Sequence, residues 1–155
     1  MRAPVMAREE LPAGGAWDGF DQLTLTASNS WHKVALSRAV TPASFAVLET
    51  ESQVRLLKSG LYIISALGYF NQTITANTSP GIAIYRNGSQ TGSYYGDGGI
   101  PRFVYYGNPG TALSMTVDPM VRRLTAGDYF DVRMFQNTGS TREAWVELGL
   151  VRLSS

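Results

Sequence analysis

Cysteine is absent from this 155-residue chain, histidine occurs once and lysine twice. Without cysteine there is no disulfide framework, no thiolate-bound zinc or iron–sulfur cluster and no thiol nucleophile. With His32 alone, one chain cannot build a multi-histidine metal site, and serine catalysis would have to route through that single ring. Charge is also scarce: 16% of residues are charged, against roughly 25% in average soluble domains. The 13 basic and 12 acidic side chains nearly cancel, and Arg122-Arg123 is the only pair of adjacent arginines. Nucleic-acid binders carry a basic stripe, and this chain has none, so no nucleic-acid partner is expected. No run approaches the ~20 apolar residues of a membrane helix, so membrane insertion is not expected either. The opening MRAPVMAREELPAGGAWDG lacks the apolar centre of a secretory signal. The expectation is a non-enzymatic product of the cytoplasm without a signal peptide, with no cofactor and no catalytic residue.

Hydroxyl groups and glycine take the place of charge: 27 Ser and Thr and 16 Gly. The hydrophobic fraction of 44% is that of a globular chain. At this length about two-thirds of the unfolded surface is buried on folding, enough for a core without metal or disulfide. Residues 1–19 hold Pro4, Pro12, Gly14, Gly15 and the cluster Arg8-Glu9-Glu10, without an apolar period. They read as an N-terminal arm, either disordered or ordering on a partner. Residues 20–155 read as one domain.

Helical periodicity is nearly absent. The window Ser37–Val47 could form a turn or two of helix, but Pro42 and the β-branched Val40, Thr41 and Val47 argue against a long one. Strand-like segments bounded by Gly, Pro, Asn and Ser fall at 23–27, 31–36, 45–48, 54–57, 61–70, 81–87, 102–106, 112–117, 129–136 and 145–153. The fold expected from these segments is all-β: a sandwich or barrel of two sheets, with about eight to ten strands. Alternation separates the faces. In 61–70, Leu61, Ile63, Leu67 and Tyr69 share one face; Tyr62, Ile64, Ala66 and Phe70 share the other. Both are apolar, so one faces the core and the other needs a second cover. In 129–136, Phe130, Val132 and Met134 point inward, opposite Tyr129, Asp131, Arg133 and Phe135. In 145–153, Val146, Leu148 and Leu150 point inward, opposite Trp145 and Val151. Apolar residues on faces away from the core imply a symmetric homo-oligomer that buries them.

The short motifs read as structure before chemistry. Asn87-Gly88 at a strand end is a hairpin turn, since both positions tolerate φ > 0. Gly127-Asp128 launches a strand, with Asp128 capping the turn through backbone N–H groups. Asp131 lies on the opposite face, so the two carboxylates do not make a catalytic pair. Gly96-Asp97-Gly98-Gly99 offers one carboxylate, too few for calcium, and does not match a phosphate loop. Tyr94, Tyr95, Tyr105 and Tyr106 flank it. With Asp97 they are either a recognition surface or packing residues. His32 beside Trp31 reads as a packing or hydrogen-bonding residue, with a metal on a threefold axis as the minor alternative.

Taken in order, three segments resemble the tumour-necrosis-factor and complement globular-head jelly-roll superfamily. Ser59-Gly60-Leu61-Tyr62-Ile63-Ile64-Ser65-Ala66 is similar to its "sGxYxixa" strand, Ile84-Tyr85-Arg86-Asn87-Gly88 to its "ixxNG" hairpin, and Leu124–Val132 to its "LxaGDxVxv" strand. Trp31–Leu36 resembles an opening strand of phage and bacterial members, and Leu148–Leu153 the closing strand. The resemblance covers 20–155. It implies a ten-stranded jelly roll and a homotrimer, with no enzymatic activity. Tyr62 matches a position that family members often bury at the threefold axis. Ile64, Phe70, Phe135 and Trp145 join it as trimer-interface candidates.

The resemblance is greatest to phage and bacterial members that decorate virions. It implies a virion structural protein: a homotrimeric capsid decoration, or cement, protein on the head shell, with the major capsid protein as partner. Arg2, Val5, Met6, Arg8 and Leu11 are then candidate contacts of the arm with the shell. The alternative is a tail- or head-fibre knob whose loop residues Tyr94, Tyr95, Asp97 and Tyr105 bind a host receptor or glycan. The lack of a stalk-like repeat favours decoration.

Overall fold

The structure is a computed structural model that describes residues 12–24, 31–50, 52–70, 80–88, 102–104, 113–135 and 141–155. Eleven strands run through them: β1 (Ala13–Thr24), β2 (His32–Lys33), β3 (Leu36–Thr41), β4 (Ala46–Glu49), β5 (Gln53–Leu56), β6 (Gly60–Phe70), β7 (Gly81–Arg86), β8 (Arg102–Val104), β9 (Leu113–Leu124), β10 (Tyr129–Phe135) and β11 (Thr141–Ser154). One sheet has the order β3-β1-β11-β6-β9. The other runs β4-β5-β10-β7-β8, with β2 also on β10. All pairings are antiparallel, and neighbours in a sheet are mostly distant in sequence. The chain therefore crosses repeatedly between the sheets, as in a jelly-roll sandwich.

The alternation in each strand decides what is buried. From the first sheet, Trp17, Tyr62, Ile64, Phe70, Leu148 and Leu150 point inward. They meet Leu56, Ile82, Ile84, Phe130, Val132 and Met134 from the second. Each large side chain so buried contributes about 1.5–3 kcal/mol. Gly68 occupies an inward position of β6 where a Cβ would come within 2.8 Å of Ile82 Cδ1 and 3.2 Å of Met134 Cε, so the sheets close on its bare backbone.

Three local expectations change. The segment read as arm joins the domain from Ala13, because Ala13–Gly19 are strand β1, paired with β11 along its whole length. Its glycines hide the alternation: Gly19 sits inward, where a Cβ would lie 2.1 Å from the Ala35 carbonyl oxygen. The window 37–47 has no helix: β3 runs to Thr41, where the β-branched Val40 and Thr41 favour extended backbone, and after a short turn β4 starts at Ala46. The single strand expected over 31–36 splits. His32 and Lys33 pair with β10, the Val34 N–H donates to the Val132 carbonyl at 3.0 Å, and the chain then crosses to the other sheet as β3.

The turns behave as their residues dictate. Asn87 and Gly88 both have positive φ, 53° and 74°, as a tight hairpin turn requires. Asp128 caps the β9–β10 turn, accepting from the Thr125 N–H at 2.9 Å, while its own N–H donates to the Thr125 carbonyl at 3.0 Å.

Candidate functional site

The outer face of the five-stranded sheet is where the chain leaves large apolar groups uncovered. The register places Phe20 on β1 directly opposite Trp145 on β11, and Trp145 opposite Tyr69 on β6. The three rings form one row across three strands. Phe20 and Trp145 have centroids 4.6 Å apart; Trp145 and Tyr69 are 6.1 Å apart with planes only 5° from parallel. Each remains 37–38% exposed. The next residue outward on β6, Leu67, is 41% exposed and lies between Glu147 and Thr116. Ala16, Gly149 and Ser65 then make a row of small residues. Beyond them Val151 and Ile63 lie beside the exposed Val121.

The backbone under this patch is held by long antiparallel ladders, with one register shift between Ile64 and Ala66 on the β9 side. Charge shares this face: Glu147, exposed on the central strand β11 between Trp145 and Gly149, lies opposite Asp18 on β1 and Leu67 on β6. Arg38 on the edge strand β3 forms an ion pair with Asp18, and its Nε donates to Asp18 Oδ1 at 3.2 Å. Such a surface combines exposed rings and aliphatic groups with a few charges, and can bind a complementary surface by burial. Among the described residues, no three His, Asp or Glu side chains converge as metal ligands.

Placement of the expected interface residues is split. Trp145 is on the exposed face. Tyr62, Ile64 and Phe70 are not: all three are fully buried inside the sandwich, on the opposite parity of β6. Tyr62 packs edge-on against Phe45 at 5.6 Å, and its hydroxyl donates to the Lys58 carbonyl at 2.6 Å. Phe135 belongs to the other sheet, nearly buried, with its ring 5.7 Å from Trp31. The residues that do form the patch, Phe20, Leu67, Tyr69 and Val121, escaped the sequence reading. Leu67 and Tyr69 were legible as the alternative face of β6, while Phe20 was diluted among glycines at the arm boundary.

His32 is half-buried on β2 opposite Met134. The inward and outward rows expected for β10 and β11 are as read, although the outward Asp131 is buried. There Arg133 donates from Nε to Asp131 Oδ1 at 2.7 Å and lies over the Tyr85 ring at 3.9 Å. The loop residues Tyr94, Tyr95, Asp97 and Tyr105, and the arm residues Arg2, Val5, Met6, Arg8 and Leu11, lie outside the described residues.

No family model and no curated protein matches the sequence. Solved structures do match the fold. Eiger TNF from S. frugiperda superposes with a TM-score of 0.61 at 16% identity, over 94% of this chain and 95% of that one. Murine APRIL superposes with a TM-score of 0.58 at 16% identity, over 91% of this chain and all of that one. The two-sheet jelly roll of this chain is thus similar in fold to these structures.

Proposed function

We propose that this chain acts by binding rather than by catalysis, as a homotrimer assembled through the outer face of the five-stranded sheet, and that the trimer decorates a phage capsid. The observation that carries the oligomer is the aromatic row Phe20–Trp145–Tyr69, left exposed beside Leu67 on the outer face of the sheet. Large aromatic rings are the residues enriched at interface centres. The tumour-necrosis-factor type of fold supports three copies over two.

Decoration rests on the sequence: no enzyme chemistry, little charge to repel neighbouring copies, and similarity of 31–36 to phage and bacterial members. A trimer that binds only the assembled shell stabilises it by mass action. Three contacts per trimer add avidity. The test is direct. The chain should have three times its 16.9 kDa mass in solution and saturate expanded empty capsids at a fixed ratio. A monomer at micromolar concentration would remove the oligomer. A trimer that ignores capsids but adsorbs to host cells would replace decoration with the receptor-binding knob.

A further inference from the structure

One end of the sandwich is tied together by a single carboxylate. Asp128 Oδ2 accepts from Arg86 at 2.7 Å and from the Thr125 N–H at 2.9 Å, and Oδ1 accepts from the Asn87 amide at 2.9 Å. Asn87 continues the chain of bonds. Its Oδ1 accepts the Tyr129 N–H at 3.0 Å, and its own N–H donates to the Tyr129 carbonyl at 2.9 Å. The corner after β5 joins from the other side. The Leu56 N–H donates to the Asp128 carbonyl at 2.8 Å, the Gly127 N–H to the Leu56 carbonyl at 2.8 Å, and the Ala126 N–H to the Ser59 hydroxyl at 2.9 Å. Thus three segments distant in sequence, 56–59, 86–88 and 125–129, meet at Asp128: its carboxylate bonds the last two, and the turn that the carboxylate caps holds the first through Ala126, Gly127 and the Asp128 carbonyl.

We infer that Asp128 is an acid-operated clasp, whose protonation frees these three segments while the strand ladders of both sheets stay closed. All three side-chain bonds to Asp128 need it as an acceptor. A proton on either oxygen turns an acceptor site into a donor facing another donor. Thr125, Ala126, Gly127, Asn87 and Gly88 are exposed, so water can take over their bonds as the clasp opens. The long β1–β11 and β11–β6 ladders contain no such dependence on one charge. Charged or titratable groups on the elements that meet here are Arg86 on β7, Arg55 with Glu49 on β5 and β4, Lys58, Arg123 on β9, Tyr129 on β10 and Arg152 on β11. Arg86 is the one that bonds the carboxylate, while Arg152 donates to the Ser59 carbonyl.

Burial pushes the Asp128 carboxyl up, but the bonds from Thr125, Asn87 and Arg86 outweigh it and hold the group below its ordinary value. The clasp therefore contributes in full above the usual carboxylate range and is lost as pH falls through the depressed value. It stays closed in mild acid and opens in strong acid.

Amide hydrogen exchange on the full chain, corrected for intrinsic rates, tests this between pH 7 and pH 2. The Leu56, Asn87, Gly127 and Tyr129 amides should lose at least about tenfold in protection in one step below the ordinary carboxylate range. The Ile64 and Leu148 amides should not change there. Asn87→Gly removes one bond to Asp128 and keeps the positive φ, so it should move the step to higher pH. Asp128→Asn should leave the clasp amides poorly protected at all pH values. If that variant does not fold, the wild-type and Asn87→Gly titrations still decide. Simultaneous loss at all six amides, persistence of the four to pH 2, or an unmoved step in Asn87→Gly would each overturn the inference.

Discussion

At the Asp128 end of the molecule, polar groups from three segments bond one another around a buried carboxylate. At the far end of β6, nine residues and about 30 Å away from Gly60 at ~3.3 Å per residue, Phe20, Tyr69 and Trp145 present their rings to solvent. The first region is held by bonds within the chain. The second leaves its rings uncovered within the chain. The difference teaches where to look for function in a chain with so few reactive groups. The bonded polar cluster explains how the fold holds its turns, and the uncovered apolar row is the surface on which the proposed assembly rests.

Substitutions at the two ends and in the core between them should separate folding from assembly. The largest effect is expected in the core. Phe70→Ala empties a fully buried site and should cost about 3–5 kcal/mol in denaturant unfolding, at any protein concentration. If its cost vanished on dilution, Phe70 would belong to an interface after all. Next comes Trp145→Ala, which should weaken self-association by at least about 2 kcal/mol, or roughly 30-fold, measured by sedimentation. Its far-ultraviolet spectrum should not change. An unaltered mass distribution would break the contrast between the two ends. The smallest effect is expected from Tyr62→Phe, which keeps the packing and removes the bond to the Lys58 carbonyl. It should cost about 1 kcal/mol of stability with no change in assembly.

Much of this architecture is legible in the residues themselves. Asn87-Gly88 and Gly127-Asp128 mark turns because few residues adopt their backbone angles, and both fall where expected. The inward rows of β10 and β11 follow from alternation against polar neighbours such as Asp131, Arg133 and Glu147. The interface was less legible. On β6 both faces are apolar, so alternation divides the side chains into two sets without ranking them. The similarity of Tyr62 to an axis-lining position favoured the wrong set. Nor did composition place the start of the domain, because Gly14, Gly15 and Gly19 look like a linker, while Gly15 and Gly19 let β1 pack where a Cβ would clash.

The sequence by itself determined the class: extended segments, tight turns and more apolar face than one core can use. Side-chain period and turn geometry are local properties, written over a few residues. Only the tertiary structure decided which face of β6 is inside. That choice depends on packing between distant segments, with Gly68 pressed against Ile82 and Met134 from the opposite sheet. Once that face is filled, Leu67 and Tyr69 are turned outward beside Trp145, and the exposed apolar row follows from the side of the sheet left over.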